Sequence, residues 1–267
     1  MEEYEQYLNF AKDIAKEAGK IMKKYFERKD ISSYKGDKTI VTFADKEINS
    51  YLIDKVKERF PNHSVDGEEE QFGKSKYVWV CDPVDGTAMY ARGIPVAVFS
   101  LALVVDGISM VGIIYDPFTD NMYTAIKGKG AFQNGEKIHV NDYSLDDMRN
   151  VSYFDLWPEA TYDISNVLQE LGRKTYFISL GSIIRGCTCV ASGEFVLALF
   201  PGTNHKNCGI AAAKVIVEEA GGKVTDIFGD EQRYDKSING ALISNGKVHD
   251  EVILTIKKYL KNEINFN

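Results

Sequence analysis

Five consecutive apolar residues, Tyr77-Val78-Trp79-Val80-Cys81, run without a polar break into Asp82-Pro83-Val84-Asp85-Gly86-Thr87. An unbroken run of this kind predicts a central strand buried on both faces. In α/β sheets the binding crevice opens at the carboxyl ends of such strands, and here that end carries two carboxylates. Pro83 fixes the backbone between them, so Asp82 and Asp85 can turn toward one point. Gly86 lets the chain approach a ligand closely. Thr87 begins what reads as a short helix, whose first amides would face a bound phosphate. Two carboxylates plus free amides suit a phosphate bridged by hard cations, which prefer oxygen ligands. The competing reading is a plain turn, with the aspartates chosen for local hydrogen bonds. For the pentapeptide alone the two readings are evenly balanced.

The rest of the chain has a helical and then a β rhythm. Leu8, Ala11, Ile14, Ala15, Ala18, Ile21, Met22 and Tyr25 recur at helical spacing, which predicts one amphipathic helix from about Glu3 to Glu27. A Lys-rich loop with Gly36 and Asp37 as turn residues follows, then the short β-branched stretch Thr39–Thr42. Asp45 opens a second helix carrying Ile48, Leu52, Val56 and Phe60, which Pro61-Asn62 closes. Strands are predicted at Val96–Val105 and Ile108–Tyr115, joined as a hairpin by Asp106-Gly107. Two more are predicted at Met122–Ile126 and Lys137–Val140, with a Gly-rich turn region over Lys127–Gly135 between them. Beyond Ser144 the pattern alternates. Strands are expected near Val151–Phe154, Thr175–Leu180 and Phe195–Phe200, and helices near Ile164–Leu171, Ser182–Ala191, Gly209–Ala220 and His249–Lys261. Early strands followed by α/β alternation predict helices sandwiched between sheets. The natural division falls between residues 1–145, an α+β half with the acidic motifs, and 146–267, an α/β half completing the pocket.

A formal net charge of −7, without a basic run, argues against nucleic-acid binding. The 44% hydrophobic and 27% charged composition argues against disorder. No apolar stretch is long enough to span a bilayer, and the acidic Met1–Glu5 does not look like a secretory signal. Cys81, Cys187, Cys189 and Cys208 show no disulfide framework, and Cys187-Thr188-Cys189 has no second pair to complete a zinc site. They read as reduced, mostly buried thiols of a cytoplasmic protein. The acidic triplet Glu68–Glu70 would by itself be a solvated surface. Its combination with Asp45 and with a hydrophobic strand ending in two carboxylates favours a bound cation.

These segments together resemble the inositol-monophosphatase superfamily, which includes fructose-1,6-bisphosphatases. Thr42-Phe43-Ala44-Asp45 is similar to the family's V-T-x-x-D, Gly67-Glu68-Glu69 to its G-E-E, and Asp82–Thr87 to D-P-[IV]-D-G-T. Gly112–Pro117 and Gly128–Gly135 resemble G-x-[IV]-Y-D-P and G-x-G-A-F-x-N-G. Leu180-Gly181-Ser182 with Val190–Gly193 resembles the G-S…V-A-x-G stretch, and Ala211–Gly222 the last motif. The resemblance implies a five-layer αβαβα sandwich of the sugar-phosphatase type (a layered α/β fold), a homodimer, and hydrolysis of a small phosphate ester. It implies two or three Mg²⁺ ions, with Mn²⁺ able to substitute. Glu68, Asp82 and the Val84 carbonyl would ligate one ion, Asp82 and Asp85 a second, and a loosely held third would sit by Glu68. Thr87 and Asp45 would orient the nucleophilic water, with Glu69 close by. Gly86, Gly181, Ser182 and Thr203 would join Asp85 and Thr87 around the substrate, and Arg185 and Lys206 are candidates for a second phosphate.

One departure from the family's pattern bears on the metal site. The last motif usually begins W-D, and that aspartate completes the second ion's ligands; here the places hold Cys208 and Gly209. Three readings are open. Asn204, His205, Asn207 or water fills the gap; the chain is a member with weakened or lost catalysis; or a ligand was removed by engineering. Gly202 stands where inositol-specific members carry a glutamate that grips sugar hydroxyls, which disfavours strict inositol specificity. Fructose 1,6-bisphosphate and inositol monophosphate lead as substrates, and 3′-phosphoadenosine esters are a third class.

Overall fold

The computed structural model describes residues 2–26, 31–34, 40–156, 160–202 and 208–260. The expected turn at Gly36 and Asp37, the substrate candidates Thr203 and Lys206, and the alternative ligands Asn204, His205 and Asn207 lie outside the described residues.

The chain opens with helix α1 (Glu2–Phe26), the antiparallel pair β1 (Ile31–Tyr34) and β2 (Ile40–Thr42), and helix α2 (Phe43–Arg59). Then come β3 (Ser64–Gly67), β4 (Gln71–Phe72), β5 (Tyr77–Asp85), the single turn α3 (Thr87–Tyr90), β6 (Val98–Val105), β7 (Ile108–Asp116), β8 (Asn121–Ile126), β9 (Ala131–Gln133) and β10 (Glu136–Lys137). The remaining elements are β11 (Val151–Phe154), α4 (Ser165–Leu171), β12 (Tyr176–Ile178), α5 (Ile183–Ala191), β13 (Leu197–Phe200), α6 (Cys208–Glu219), β14 (Lys223–Thr225), β15 (Ala241–Ser244) and α7 (His249–Tyr259).

Two sheets organise these elements. The larger has the order β10-β9-β8-β7-β6-β5-β3-β4 and is antiparallel except where β3 runs parallel to β5. The smaller has the order β12-β11-β13-β15-β14, with β11 parallel to both neighbours and β15 antiparallel to both of its own. Alternation along β5 and β6 divides the large sheet's side chains between two cores. Trp79, Cys81, Phe99 and Leu101 pack beneath Ile14, Ala18, Ile48 and Leu52 of α1 and α2. Val80, Val98 and Ala102 face the opposite way, onto Ile184 and Cys187 of α5 and Ile210 and Ala213 of α6. That second core continues to Ala198 and Ile243 of the small sheet. Leu197, Leu199 and Leu242 on the sheet's far side meet Val167 of α4 and Val252 and Ile256 of α7. The layers therefore read αβαβα, as the sequence led one to expect.

The expected long N-terminal helix and the Asp106-Gly107 hairpin are present. Both turn residues have positive φ, 50° and 86°, the twist that a two-residue hairpin needs. Several boundaries differ for identifiable reasons. β5 does not stop at Cys81. It continues through the acidic motif to Asp85, pairing Asp82 with Ser100 and Asp85 with Val98 across an irregularity at Pro83. Pro83 has no N–H to give the ladder, so the strand bulges there and continues. The Lys127–Gly135 turn region contains β9, and the strand expected at Lys137–Val140 ends at Lys137. Val140 instead donates its N–H to Ala220 beyond α6. The strand expected over Thr175–Leu180 is only Tyr176–Ile178. The short strands β3, β4, β14 and β15 carry too few residues for a recognisable period.

Phe99 is fully buried beneath α1 and α2. Phe99→Ala is expected to cost about 3–5 kcal/mol, read as a lower urea midpoint at unchanged slope.

Candidate active site

Three separate stretches bring carboxylates together. The first is the start of α2. Thr42 caps this helix, and Asp45 Oδ2 accepts from the Thr42 N–H at 2.7 Å and the Thr42 hydroxyl at 2.6 Å, a reciprocal capping box. Asp45 is thus held at the mouth of the helix, 1% exposed. Burial pushes its pKa up to about 7, against the Thr42 hydrogen bonds, and the charges of Glu68 and Glu69 push the same way.

The second stretch is the turn after β3. The Glu68 N–H donates to the Cys81 carbonyl at 3.1 Å, which pins this turn beside β5. Asn49, one helical turn after Asp45, is buried and reaches across. Its Oδ1 accepts from the Glu69 N–H at 3.2 Å and its Nδ2 donates to the Glu70 carbonyl at 3.0 Å. Gly67 is required by this arrangement, because a Cβ there would lie 2.1 Å from Asn49 Oδ1. Asn49 was not singled out from the sequence; its only signal was a polar residue on the buried face of an amphipathic helix.

The third stretch is the end of β5. Asp82 is 6% exposed, and its Oδ1 accepts from the Val84 N–H at 3.2 Å. Thr87 donates its hydroxyl to the Val84 carbonyl at 2.7 Å. The Asp85 carboxylate turns to the start of α5, where Oδ2 accepts from the Ser182 hydroxyl and, at 2.9 Å, from the Ile184 N–H. Burial raises Asp85 to about 7 despite the Ser182 bond, with the charges of Asp155 and Glu68 adding to the rise. Glu68 therefore acts on both Asp45 and Asp85, and with Asp82 and Asp45 it also raises the buried Cys81 thiol. Asp45, Glu68, Glu69, Asp82 and Asp85 belong to one electrostatic cluster. Asp155, buried at the end of β11, is a member that the sequence did not reveal.

Gly86 lies against the Gly181 carbonyl and the Ser182 Cβ, so these three share the rim of the cluster. Arg185 is turned away from a free role and pairs with the buried Asp116, whose oxygens also receive Thr119. Gly209 stands in the first turn of α6, and among the described residues a Cβ there would meet only Ile183 Cγ2, at 3.9 Å. Among the described residues no three His, Cys, Asp or Glu side chains draw close enough to enclose an ion. The donors are nevertheless oxygens, the chemistry that a hard cation requires. The buried Ser100 hydroxyl, across the strand pair from Asp82, has no hydrogen-bond partner among the described residues. Cys81 and Cys187 are buried and Cys189 half-buried, all as free thiols that burial pushes up, Cys189 to about 11. Among the described residues no helix is long and apolar enough to cross a membrane.

A raised carboxylate keeps its proton in the fold after the unfolded chain has lost it near 3.9, so its contribution falls as pH climbs from about 4 to 7. Buried His249, lowered to about 4, contributes the opposite slope up to about 6.5. The comparison of wild type with Asp45→Asn cancels the histidine. In the presence of a chelator, the variant's Tm is expected to fall less than wild type's between pH 5 and 7 by scanning calorimetry. Parallel curves would contradict the raised pKa.

The sequence model of the inositol monophosphatase family matches residues 3–261. A fructose-1,6-bisphosphatase/inositol-1-monophosphatase of Thermotoga maritima is 30% identical over 260 residues, covering 95% of this chain and 97% of that one. Inositol monophosphatase 1 of Solanum lycopersicum is 33% identical over 239 residues, covering 85% and 86%. The solved structure of a Thermotoga maritima IMPase superposes with a TM-score of 0.83 at 28% identity, covering 96% of this chain and 99% of that one. With the sequence match and the layered architecture both running through nearly the whole chain, this protein belongs to the inositol monophosphatase family.

Proposed function

We propose that the chain is a Mg²⁺-dependent phosphomonoesterase acting on a small sugar or polyol phosphate, fructose 1,6-bisphosphate or an inositol monophosphate. The observation that carries this reading is the juxtaposition of three oxygen-rich segments: the Glu68 N–H donates to the Cys81 carbonyl at 3.1 Å, which sets the turn after β3 beside the Asp82–Asp85 end of β5, and Asn49 ties the same turn to α2, one helical turn from Asp45. Glu68, Asp82 and the Val84 carbonyl would hold one ion. Asp82 and Asp85 would hold a second, and a third would sit loosely beside Glu68; Mn²⁺ could substitute. The Val84 carbonyl has a lone pair left after accepting from Thr87. When bound, the ions supply an acidified water and neutralise charge on the phosphate.

The protein's own groups do the orienting. The Thr87 hydroxyl spends its proton on Val84, so toward the attacking water it can only accept, through its lone pairs. Asp45 is held still by Thr42 and can accept from the same water. Glu69 lies beside it and is fixed through Asn49. Gly86, Gly181 and Ser182 form the rim that would meet the phosphate.

Gly209 favours a second reading, a family member with impaired catalysis. It places hydrogen where the second ion's ligand set expects a carboxylate, next to Ile183 and one residue from the Ile184 N–H that binds Asp85. Among the described residues a Cβ at 209 has room, so Gly209→Asp is expected to fold, with a Tm in chelator at or below that of wild type because the new carboxylate joins the charges around Asp85.

Phosphate release with Mg²⁺ on fructose 1,6-bisphosphate, inositol 1-phosphate and a 3′-phosphoadenosine ester tests both readings. Wild type is expected to turn over slowly and Asp82→Asn not at all. Gly209→Asp is expected to raise kcat by roughly tenfold or more, the order that ligand-shell changes produce. Absence of turnover in both wild type and Gly209→Asp would overturn the phosphatase reading.

A further inference from the structure

The Asp85 carboxylate is held by a segment that is itself held from the small sheet. Tyr153, on β11, is fully buried, and its ring lies against Gly186 of α5 so closely that a Cβ there would approach the ring to 2.4 Å. The Tyr153 hydroxyl accepts from the Leu180 N–H at 3.2 Å and from the Ser182 N–H at 3.0 Å. It donates its single proton to Asp155 Oδ2 at 2.8 Å. Asp155 Oδ1 accepts from the intervening Gly181 N–H at 3.1 Å and from the Ser179 hydroxyl at 2.8 Å. Three successive backbone amides, 180 to 182, are thereby tied alternately to one tyrosine and one aspartate. Ser182 passes the constraint on, because its hydroxyl donates to Asp85 Oδ2 while also capping α5. The Ile184 N–H reaches the same oxygen.

We propose that Tyr153 and Asp155 are positioning residues for Asp85. They fix the 179–182 segment so that Ser182 and Ile184 engage one carboxylate oxygen and set the direction of the other. The proposal rests on the reading of Asp85 as a ligand of the second ion. Neither residue touches substrate or the reacting atoms. A tyrosine hydroxyl can accept two hydrogen bonds and donate one, and all three are used here, so phenylalanine at 153 releases two amides and one carboxylate at once. Outer partners of a metal ligand commonly change metal affinity by about 10–100-fold when removed.

The test compares Tyr153→Phe and Asp155→Asn with Ser152→Ala. Ser152 is buried on the same strand but bonds only across to the Thr175 hydroxyl at 2.8 Å, away from this network. Two readouts are taken: hydrogen exchange of the Ser182 and Ile184 amides in chelator, and equilibrium Mg²⁺ binding by calorimetry. Tyr153→Phe and Asp155→Asn are expected to accelerate exchange at both amides. They are also expected to weaken Mg²⁺ binding about tenfold or more. Ser152→Ala is expected to lower Tm while leaving both readouts at wild-type values. If Tyr153→Phe does not fold, Asp155→Asn, which keeps the side chain's shape, is read by the same criteria. Unchanged exchange and unchanged Mg²⁺ affinity in a folded variant would overturn the proposal. Faster exchange in a protein whose wild type binds no Mg²⁺ would instead sink the metal-dependent reading and leave the positioning role standing.

Discussion

Burial of carboxylates, sharpened by their mutual repulsion, is the constraint on which this molecule turns. Asp45 and Asp82 are buried and Asp85 is half-buried, and the charge of Glu68 reaches both Asp45 and Asp85. Like charges at close range in a poorly solvated place disfavour ionisation and push the chain segments apart. The surrounding hydrogen bonds answer that push piece by piece. Thr42 holds Asp45, Asn49 and the Cys81 carbonyl hold the glutamate turn, the Val84 amide holds Asp82, and Ser182 with Ile184 holds Asp85. Each anchor comes from regular structure or its immediate cap.

The layered architecture makes this possible. The ends of β5 and the start of α2 lie on the large sheet's side, while α5 and β11 belong to the other half of the sandwich. The helical layer of α5 and α6 packs against both sheets, so its first turns lie where the two halves adjoin. An acidic cluster built at that junction draws one wall from each sheet. The Tyr153–Gly186 contact fixes how far α5 stands from the small sheet, and the Asp85 bonds fix its start against the large one.

Much of this was legible in the residues. The apolar run at Tyr77–Cys81 marked the central strand, helical spacing marked α1 and α2, and the ordered motifs marked the αβαβα sandwich. The sequence marks Asp45, Glu68, Glu69, Asp82 and Asp85 as site candidates, and the fold sets Asp45 and Asp85 within the field of Glu68. Other features were hidden for physical reasons. β3, β4, β14 and β15 are too short to display a period, and their existence depends on neighbours remote in sequence. The passage of β5 through Pro83 could not be read, because only the pairing with Val98 and Ser100 distinguishes a bulged strand from a turn. Asn49, Tyr153 and Asp155 looked like ordinary members of a helix and a strand. Their roles arise from whom they meet, which is a tertiary fact. Arg185 shows the converse: a cation that sequence reading offered to a second phosphate is engaged by Asp116.

The open space at Gly209 has a consequence for how such a chain changes over generations. Among the described residues a Cβ at that position would meet only Ile183 Cγ2, at 3.9 Å, so there is room for the first atom of a side chain. The glycine codons GGT and GGC differ from the aspartate codons GAT and GAC by a single base. An added carboxylate would join the charges around Asp85, so on the proposed reading the exchange trades repulsion in the ion-free fold for one more oxygen ligand. Selection for the chemistry and selection for the ion-free fold therefore pull this position in opposite directions.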